Sequence, residues 1–156
     1  NRRNLEETML RELARARRLG DSVGVLVADI DHFKKLNDTY GHDAGDFVLE
    51  RIGELMRAAT RGSDIACRFG GEEFAVILPG ASLLVARSRA EAIRAAVESL
   101  HLDFGGRPLG ALTTSIGVAA MPPHGQDWAF TLQQADRALY SAKQAGRNKV
   151  AAAADD

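Results

Sequence analysis

The chain has 156 residues, 46% of them apolar and 26% charged, with 20 Lys and Arg against 21 Asp and Glu for a net charge of -1. That length suits one domain able to bury about two-thirds of its extended surface, and the balanced charge argues against a general basic field for nucleic acid. A single cysteine, Cys67, excludes an internal disulfide and suits a reducing compartment, and no apolar run is long enough to cross a bilayer.

Leu5, Met9, Leu13 and Ala16 recur at near-helical spacing among Arg and Glu, which predicts an amphipathic helix ending near Gly20. Val23 to Ile30 is almost wholly apolar and reads as a central strand covered on both faces, with Asp29 and Asp31 where it meets solvent. His32 to Asn37 predicts a short helix stopped near Gly41, with Asp31 as its N-cap. A longer helix begins near Asp43, its buried stripe being Val48, Ile52, Met56 and Ala59. Ile65 to Phe69 and Phe74 to Leu78 then flank Gly70 and Gly71. This is a hairpin signal, since both glycines can take the positive φ of a tight turn, and Cys67 falls in its core. After Pro79-Gly80, a second long helix follows Ser82 with Ala86, Ala90, Ile93, Val97 and Leu100 inward.

His101 to Phe104, Gly105-Gly106 and Leu112 to Ala120 read as further strands, and Pro122, Pro123 and Gly125 as a loop. A third helix runs from Asp127 or Thr131 to Ala145, with Ala135, Leu139 and Ala142 inward and Gly146 at its C-terminal cap. Lys149 to Ala153 predicts a last short edge strand before a frayed tail. The order is β-α-β-β-α-β with additions, an α+β fold with a helix-covered sheet of the split βαβ type. The chain opens abruptly inside a charged helical pattern, as a fragment of a larger protein would.

In this topology the first strand and the hairpin are neighbours at the sheet centre, which sets Asp29 and Ile30 beside Glu72 and Glu73. Hard oxygen ligands at a strand end suit Mg²⁺, which shares its shell with phosphates. Glu72 with Asp29 is the first-choice ligand pair, and Glu73 a second ligand or a base; the bland alternative is a solvated acidic turn. His32, His42, His101 and His124 have no zinc-like spacing with each other or with Cys67. No GxxxxGK[ST] loop and no GxGxxG is present, so a polyphosphate needs other partners. A helix starting at His32 would aim the backbone N–H groups of His32 and Phe33 at an anion, and Lys34, Lys143 and Arg147 are candidates to neutralise it. For each of these cations the alternative is a solvated surface charge.

Four segments closely resemble the GGDEF family of diguanylate cyclases. They are Asp29-Ile-Asp-His-Phe-Lys-Lys-Leu-Asn37-Asp-Thr-Tyr-Gly-His-Asp43-Ala-Gly-Asp46, Arg61-Gly-Ser-Asp64, Gly70-Gly-Glu-Glu-Phe74 and Ala135-Asp-Arg-Ala-Leu-Tyr140-Ser-Ala-Lys143-Gln-Ala-Gly-Arg147-Asn. The resemblance runs over nearly the whole chain. It implies a single catalytic domain, with a central mostly antiparallel sheet flanked by helices and related to nucleotidyl cyclases and the polymerase palm. The implied reaction condenses two GTP into cyclic di-GMP and two pyrophosphates, with Mg²⁺ or alternatively Mn²⁺.

By position, Asp29, Glu72 and the carbonyl of Ile30 match metal ligands, and Glu73 a further metal or base carboxylate. His32, Phe33, Lys34, Lys143 and Arg147 fall where the family meets triphosphate, and Asn37 and Asp46 match its guanine-binding pair. The chemistry agrees: guanine's N1–H and N2–H₂ suit a carboxylate such as Asp46, while an amide such as Asn37 serves O6 or N3. On their own, Asn37 reads equally as a helix C-cap and Asp46 as a first-turn charge.

Because one site holds one GTP, the resemblance implies a transient face-to-face homodimer. Arg61-x-x-Asp64 lies where the family carries its product-inhibition site, completed by a second arginine among Arg87, Arg89 and Arg94; the alternative is a surface ion pair worth about 0–1 kcal/mol. The family also implies a cytoplasmic domain, an upstream sensor and any membrane anchor outside this segment, with neither nucleic acid nor membrane as a direct partner. Two departures stand out. Asn1-Arg2-Arg3 resembles only the end of the family's leading D-x-L-T-G-L-x-N-R-R segment, and Glu replaces Asp in the signature's third place, one methylene longer with the same charge. A module that binds GTP or cyclic di-GMP without turnover is the alternative function, and a cyclase making a mononucleotide or mixed dinucleotide a third.

Overall fold

The computed structural model describes residues 2–122 and 127–153. Helix α1 (Arg2–Leu19) buries Leu5, Met9, Leu13 and Ala16, the stripe that its spacing predicts. Strand β1 (Val23–Ile30) is buried at every residue. Helices α2 (Phe33–Tyr40) and α3 (His42–Ala58) lead to the hairpin of β2 (Ile65–Gly70) and β3 (Glu73–Pro79). Helix α4 (Leu83–Glu98) follows, then two-residue strands β4 (Asp103–Phe104) and β5 (Arg107–Pro108). Strand β6 (Thr114–Met121), helix α5 (Trp128–Gln144) and strand β7 (Val150–Ala152) complete the described chain.

The described residues form a five-stranded sheet in the order β2-β3-β1-β6-β7, with β4-β5 as a separate ribbon. β1 runs antiparallel to both β3 and β6, β2 antiparallel to β3, and β7 parallel to β6. This is the expected α+β architecture with a mostly antiparallel central sheet. Side chains alternate along β1, so Leu26, Ala28 and Ile30 enter one core with residues of α2, α3 and α4. Val23, Val25 and Val27 enter the other with residues of α1 and α5. Cover on both faces is why β1 reads as an unbroken apolar run. At Gly117 of β6 an added Cβ would lie 2.1 Å from the Ala135 carbonyl oxygen and 2.3 Å from the Leu139 nitrogen. The backbone of α5 therefore rests directly on β6.

Several local expectations need correction. The N-cap of α2 is His32, at φ 56 and without a side-chain cap, not Asp31. Asp31 is instead drawn inward, because Thr113, Ser115 and Asn148 donate hydrogen bonds to its carboxylate. Neither Gly70 nor Gly71 takes a positive φ; a register shift between Arg68 and Gly70 turns the hairpin instead. Strand pairing begins only at Asp103 rather than His101, and at Thr114 rather than Leu112. Ala59 and Leu100 lie just past the ends of their helices but still pack against the core. Of the two helix starts, Asp127 is the N-cap of α5 and accepts from the Phe130 N–H at 2.8 Å. The loop expected at Pro123 and Gly125 and the tail past Ala153 lie outside the described residues. Cys67 packs at the edge of the α1–α5 core, where burial pushes its thiol pKa up.

Candidate active site

The site forms where β1 runs out beside the hairpin. Asp29 is the register partner of Glu73 on β3 and of Ser115 on β6. The Ile30 N–H donates to the Glu72 carbonyl at 3.4 Å, so both turn glutamates adjoin the end of β1. Alternation decides which face each carboxylate takes. Asp29 has the parity of Val25 and Val27, and Glu73 that of Ala75 and Ile77, all on the α5 side. The residue paired across the strands with Asp29 is therefore Glu73, while Glu72 stands at the tip just outside β3.

Asp29 is 7% exposed. One of its oxygens meets the ammonium of Lys143, which α5 delivers, and the other is buried without a partner. The Glu73 carboxyl is pushed above the usual range, first by burial, then by the charges of Asp29 and Asp136, with Glu72 adding to the rise and Lys143 opposing it. Among the described residues no three His, Cys, Asp or Glu side chains form a metal cage by themselves. Mg²⁺ does not require one, since it is held by one or two carboxylates, water and substrate phosphate. The orphaned Asp29 oxygen and the crowding of negative charge at Glu73 both fit a hard cation.

Around this centre, His32 and Lys34 are exposed at the start of α2, with Phe33 buried. Lys143 lies near the end of α5, and the Arg147 guanidinium stands 3.9 Å from Asp31 just beyond it. The Oδ1 atom of Asn37 is also buried without a partner. It packs over Gly45, where an added Cβ would lie 1.8 Å away, so the absence of a side chain at 45 makes room for the amide. Asp46, the next residue, is exposed and lines a cleft of 260 Å³ together with Glu50, Arg57, Arg68 and Phe74. Asn37 thus packs on α3 at Gly45, and Asp46, the next residue of α3, faces the cleft beside the hairpin.

Arg68 and Asp136 were not singled out from the sequence. Arg68 donates to the Gly71 carbonyl at 2.8 Å and faces the same cleft as Asp46; its signal was an exposed charge next to the Gly-Gly turn. Asp136 lies seven residues before Lys143, two helical turns along one face. Away from the centre, the Asp64 carboxylate accepts from the Arg61 N–H at 3.1 Å and from the Arg89 guanidinium at 3.1 Å. Arg89 also donates to the Ala59 carbonyl, whereas Arg94 is committed to Glu91, Glu98 and Asn148. Arg61 and Arg89 flank a groove floored by Leu55, Ala92, Ile93 and Ala96.

A family model described as diguanylate cyclase, GGDEF domain, matches residues 1–149. The chain belongs to the GGDEF family. This GGDEF domain is 43% identical over 150 residues to diguanylate cyclase DgcP of Pseudomonas aeruginosa, covering 96% of the chain but only 22% of DgcP. It superimposes with a TM-score of 0.94 and 38% identity on the GGDEF domain of DgcB from Caulobacter crescentus in complex with c-di-GMP, covering 99% of this chain and 89% of that one. Against the active GGEEF domain of a diguanylate cyclase from Vibrio cholerae the TM-score is 0.91 at 31% identity, covering 100% and 98%. Among the described residues of the GGDEF domain, no helix is long and apolar enough to cross a membrane.

Proposed function

We propose that this GGDEF domain condenses two GTP into cyclic di-GMP and two pyrophosphates. The observation that carries the proposal is Asp29, buried beside Glu73 at a strand end with one oxygen on Lys143 and the other unpartnered. In each of two steps the 3′-hydroxyl of one GTP attacks the α-phosphate of the other. The new P–O bond forms as the bond to the bridging oxygen breaks and pyrophosphate leaves.

Asp29, Glu72, Glu73 and the Ile30 carbonyl would hold Mg²⁺, with Mn²⁺ as the alternative. Bound there, the ion supplies acidification of the hydroxyl and compensation of the charge that builds on the leaving group. Glu73 is suited to take the hydroxyl proton, because burial first, and then crowding by Asp29, Asp136 and Glu72, raises its basicity above that of an ordinary carboxylate. Lys143 and Arg147, with the N–H groups of His32 and Phe33 and the Lys34 ammonium, neutralise the triphosphate. Asp46 accepts the guanine N1–H and N2–H₂, and Asn37 serves the remaining edge. Adenine has no N1–H, so it would leave Asp46 unpaired.

Each site holds one GTP, so two copies meet face to face as a transient two-fold dimer. Product inhibition runs through Arg61 and Asp64 with Arg89 as the second arginine, a choice supported by the Arg89 contact to Asp64. In the longer protein, an upstream sensor controls how often two such domains meet. The deciding experiment is incubation with GTP and Mg²⁺ followed by chromatography. Wild type should yield cyclic di-GMP and Glu73→Ala none; full turnover in the variant removes the carboxylates from the mechanism.

A further inference from the structure

Two carboxylates two residues apart leave the end of β1, and two cations four residues apart at the end of α5 answer them. Lys143 meets Asp29, and Arg147 approaches Asp31. The proposed function assigns Asp29, Lys143 and Arg147 work at the nucleotide but gives Asp31 none. Yet the Asp31 side chain is only 1% exposed, and three donors converge on it. Its Oδ1 accepts from the Ser115 hydroxyl at 2.7 Å, and its Oδ2 accepts from the Thr113 hydroxyl at 2.7 Å and the Asn148 backbone N–H at 2.9 Å. A buried carboxylate is costly unless bonded in this way, so the arrangement is a built one.

The segment that it grips is strained. Gly146, Arg147 and Asn148 stand in succession at φ 112, 65 and 47. Arginine holds left-handed backbone only where its surroundings impose it, whereas asparagine takes it more readily. Here Asp31 holds the Asn148 backbone from the sheet side, and α4 holds its side chain from the other. The Arg94 guanidinium donates to Asn148 Oδ1 at 2.8 Å, and the Asn148 amide donates to Glu98. Arg94 is itself braced by Glu91 at 2.6 Å and Glu98 at 3.5 Å.

We infer that Asp31 and Asn148 are positioning residues, which with Arg94 and Glu98 clamp the left-handed turn that aims Arg147 at the phosphates of bound nucleotide. That the ligand carries a polyphosphate rests on the function proposed above. The clamp works by geometry: the guanidinium is 39% exposed and only 3.9 Å from Asp31, so it can turn toward a ligand, while the backbone beneath it is held by Asp31 and α4. A preset backbone means that less freedom is lost when Arg147 bonds a phosphate.

Calorimetric titration with inorganic tripolyphosphate in Mg²⁺, and separately with GTP, tests this. Asn148→Gly is the informative variant, since glycine takes φ 47 without strain and only the contacts to Arg94 and Glu98 are lost. Asn148→Gly and Arg147→Ala should each weaken tripolyphosphate about tenfold, the scale of one charged hydrogen bond. The double variant should be no more than about twofold weaker than Arg147→Ala, because residues that act through one another do not add. Asp31→Asn should show the same lack of additivity with Arg147→Ala, and in turnover Asn148→Gly should raise KM while kcat is largely kept. Additive losses near a hundredfold, wild-type affinity in Asn148→Gly, or no tripolyphosphate binding by wild type would each overturn the inference. Product formation judges the cyclase separately. Coupled losses without cyclic di-GMP would sink the cyclase alone, and additive losses with cyclic di-GMP would sink the clamp alone.

Discussion

A buried oxygen without a partner costs free energy that a folded chain recovers only by bonding something else. Asp29 Oδ1 and Asn37 Oδ1 are two such atoms, the first near the end of β1 and the second on α2. Under the proposed function a cation answers the first and a base edge the second. The position of Asn37 depends on what is missing at 45. Gly45→Ala would drive a methyl to within 1.8 Å of the amide oxygen, and a side chain on a short helix yields more easily than the α3 backbone. We expect Gly45→Ala to raise KM for GTP about tenfold, the loss of one well-made hydrogen bond, with kcat changed little. Steady-state kinetics check this, and an unaltered KM removes Asn37 from the nucleotide site.

At the level of elements, the site is a product of what α5 rests on. Lys143 reaches Asp29 because the helix backbone lies against β6 at Gly117, where any Cβ would meet main-chain atoms rather than a movable side chain. Gly117→Ala should therefore cost about 3 kcal/mol, the upper end of overpacking, and lower the melting temperature by about 6–12 °C. A shift of under a degree in thermal unfolding would mean that α5 lifts away freely. The pairing of α3 with α4 matters in a different way. It brings Arg89 to Asp64 and leaves an apolar groove between two arginines. Arg61→Ala should keep turnover yet lose inhibition by added cyclic di-GMP, read from initial rates. Unchanged inhibition would return Arg61 to an ordinary surface charge.

For the whole molecule, the geometry supplies half of what the proposed reaction needs. In that proposal one set of Asp29, Glu72 and Glu73 would serve one α-phosphate, and the attacking hydroxyl would arrive on the nucleotide of a second copy. Turnover per chain should then fall in proportion to concentration once the protein is diluted below the dimer's dissociation constant. Specific activity measured over a dilution series tests it, and a constant value would mean that one chain completes the reaction alone.

Much of this was legible in the chain itself, for a definite reason. Backbone period and side-chain polarity are local properties, so the doubly covered strand at Val23 to Ile30, the helical stripes and the acidic turn after Gly71 could be read directly. The neighbourhood of Asp29 and the hairpin followed from topology alone. What only the tertiary structure decided were relations between segments far apart in sequence. Alternation on two strands paired Asp29 with Glu73 rather than Glu72. Donors from Thr113, Ser115 and Asn148 turned Asp31 from an expected cap into a buried anchor. Packing of α4 chose Arg89 over Arg94 for Asp64. Each of these depends on where a side chain's partners come to rest, and those partners lie between 25 and 117 residues away along the chain.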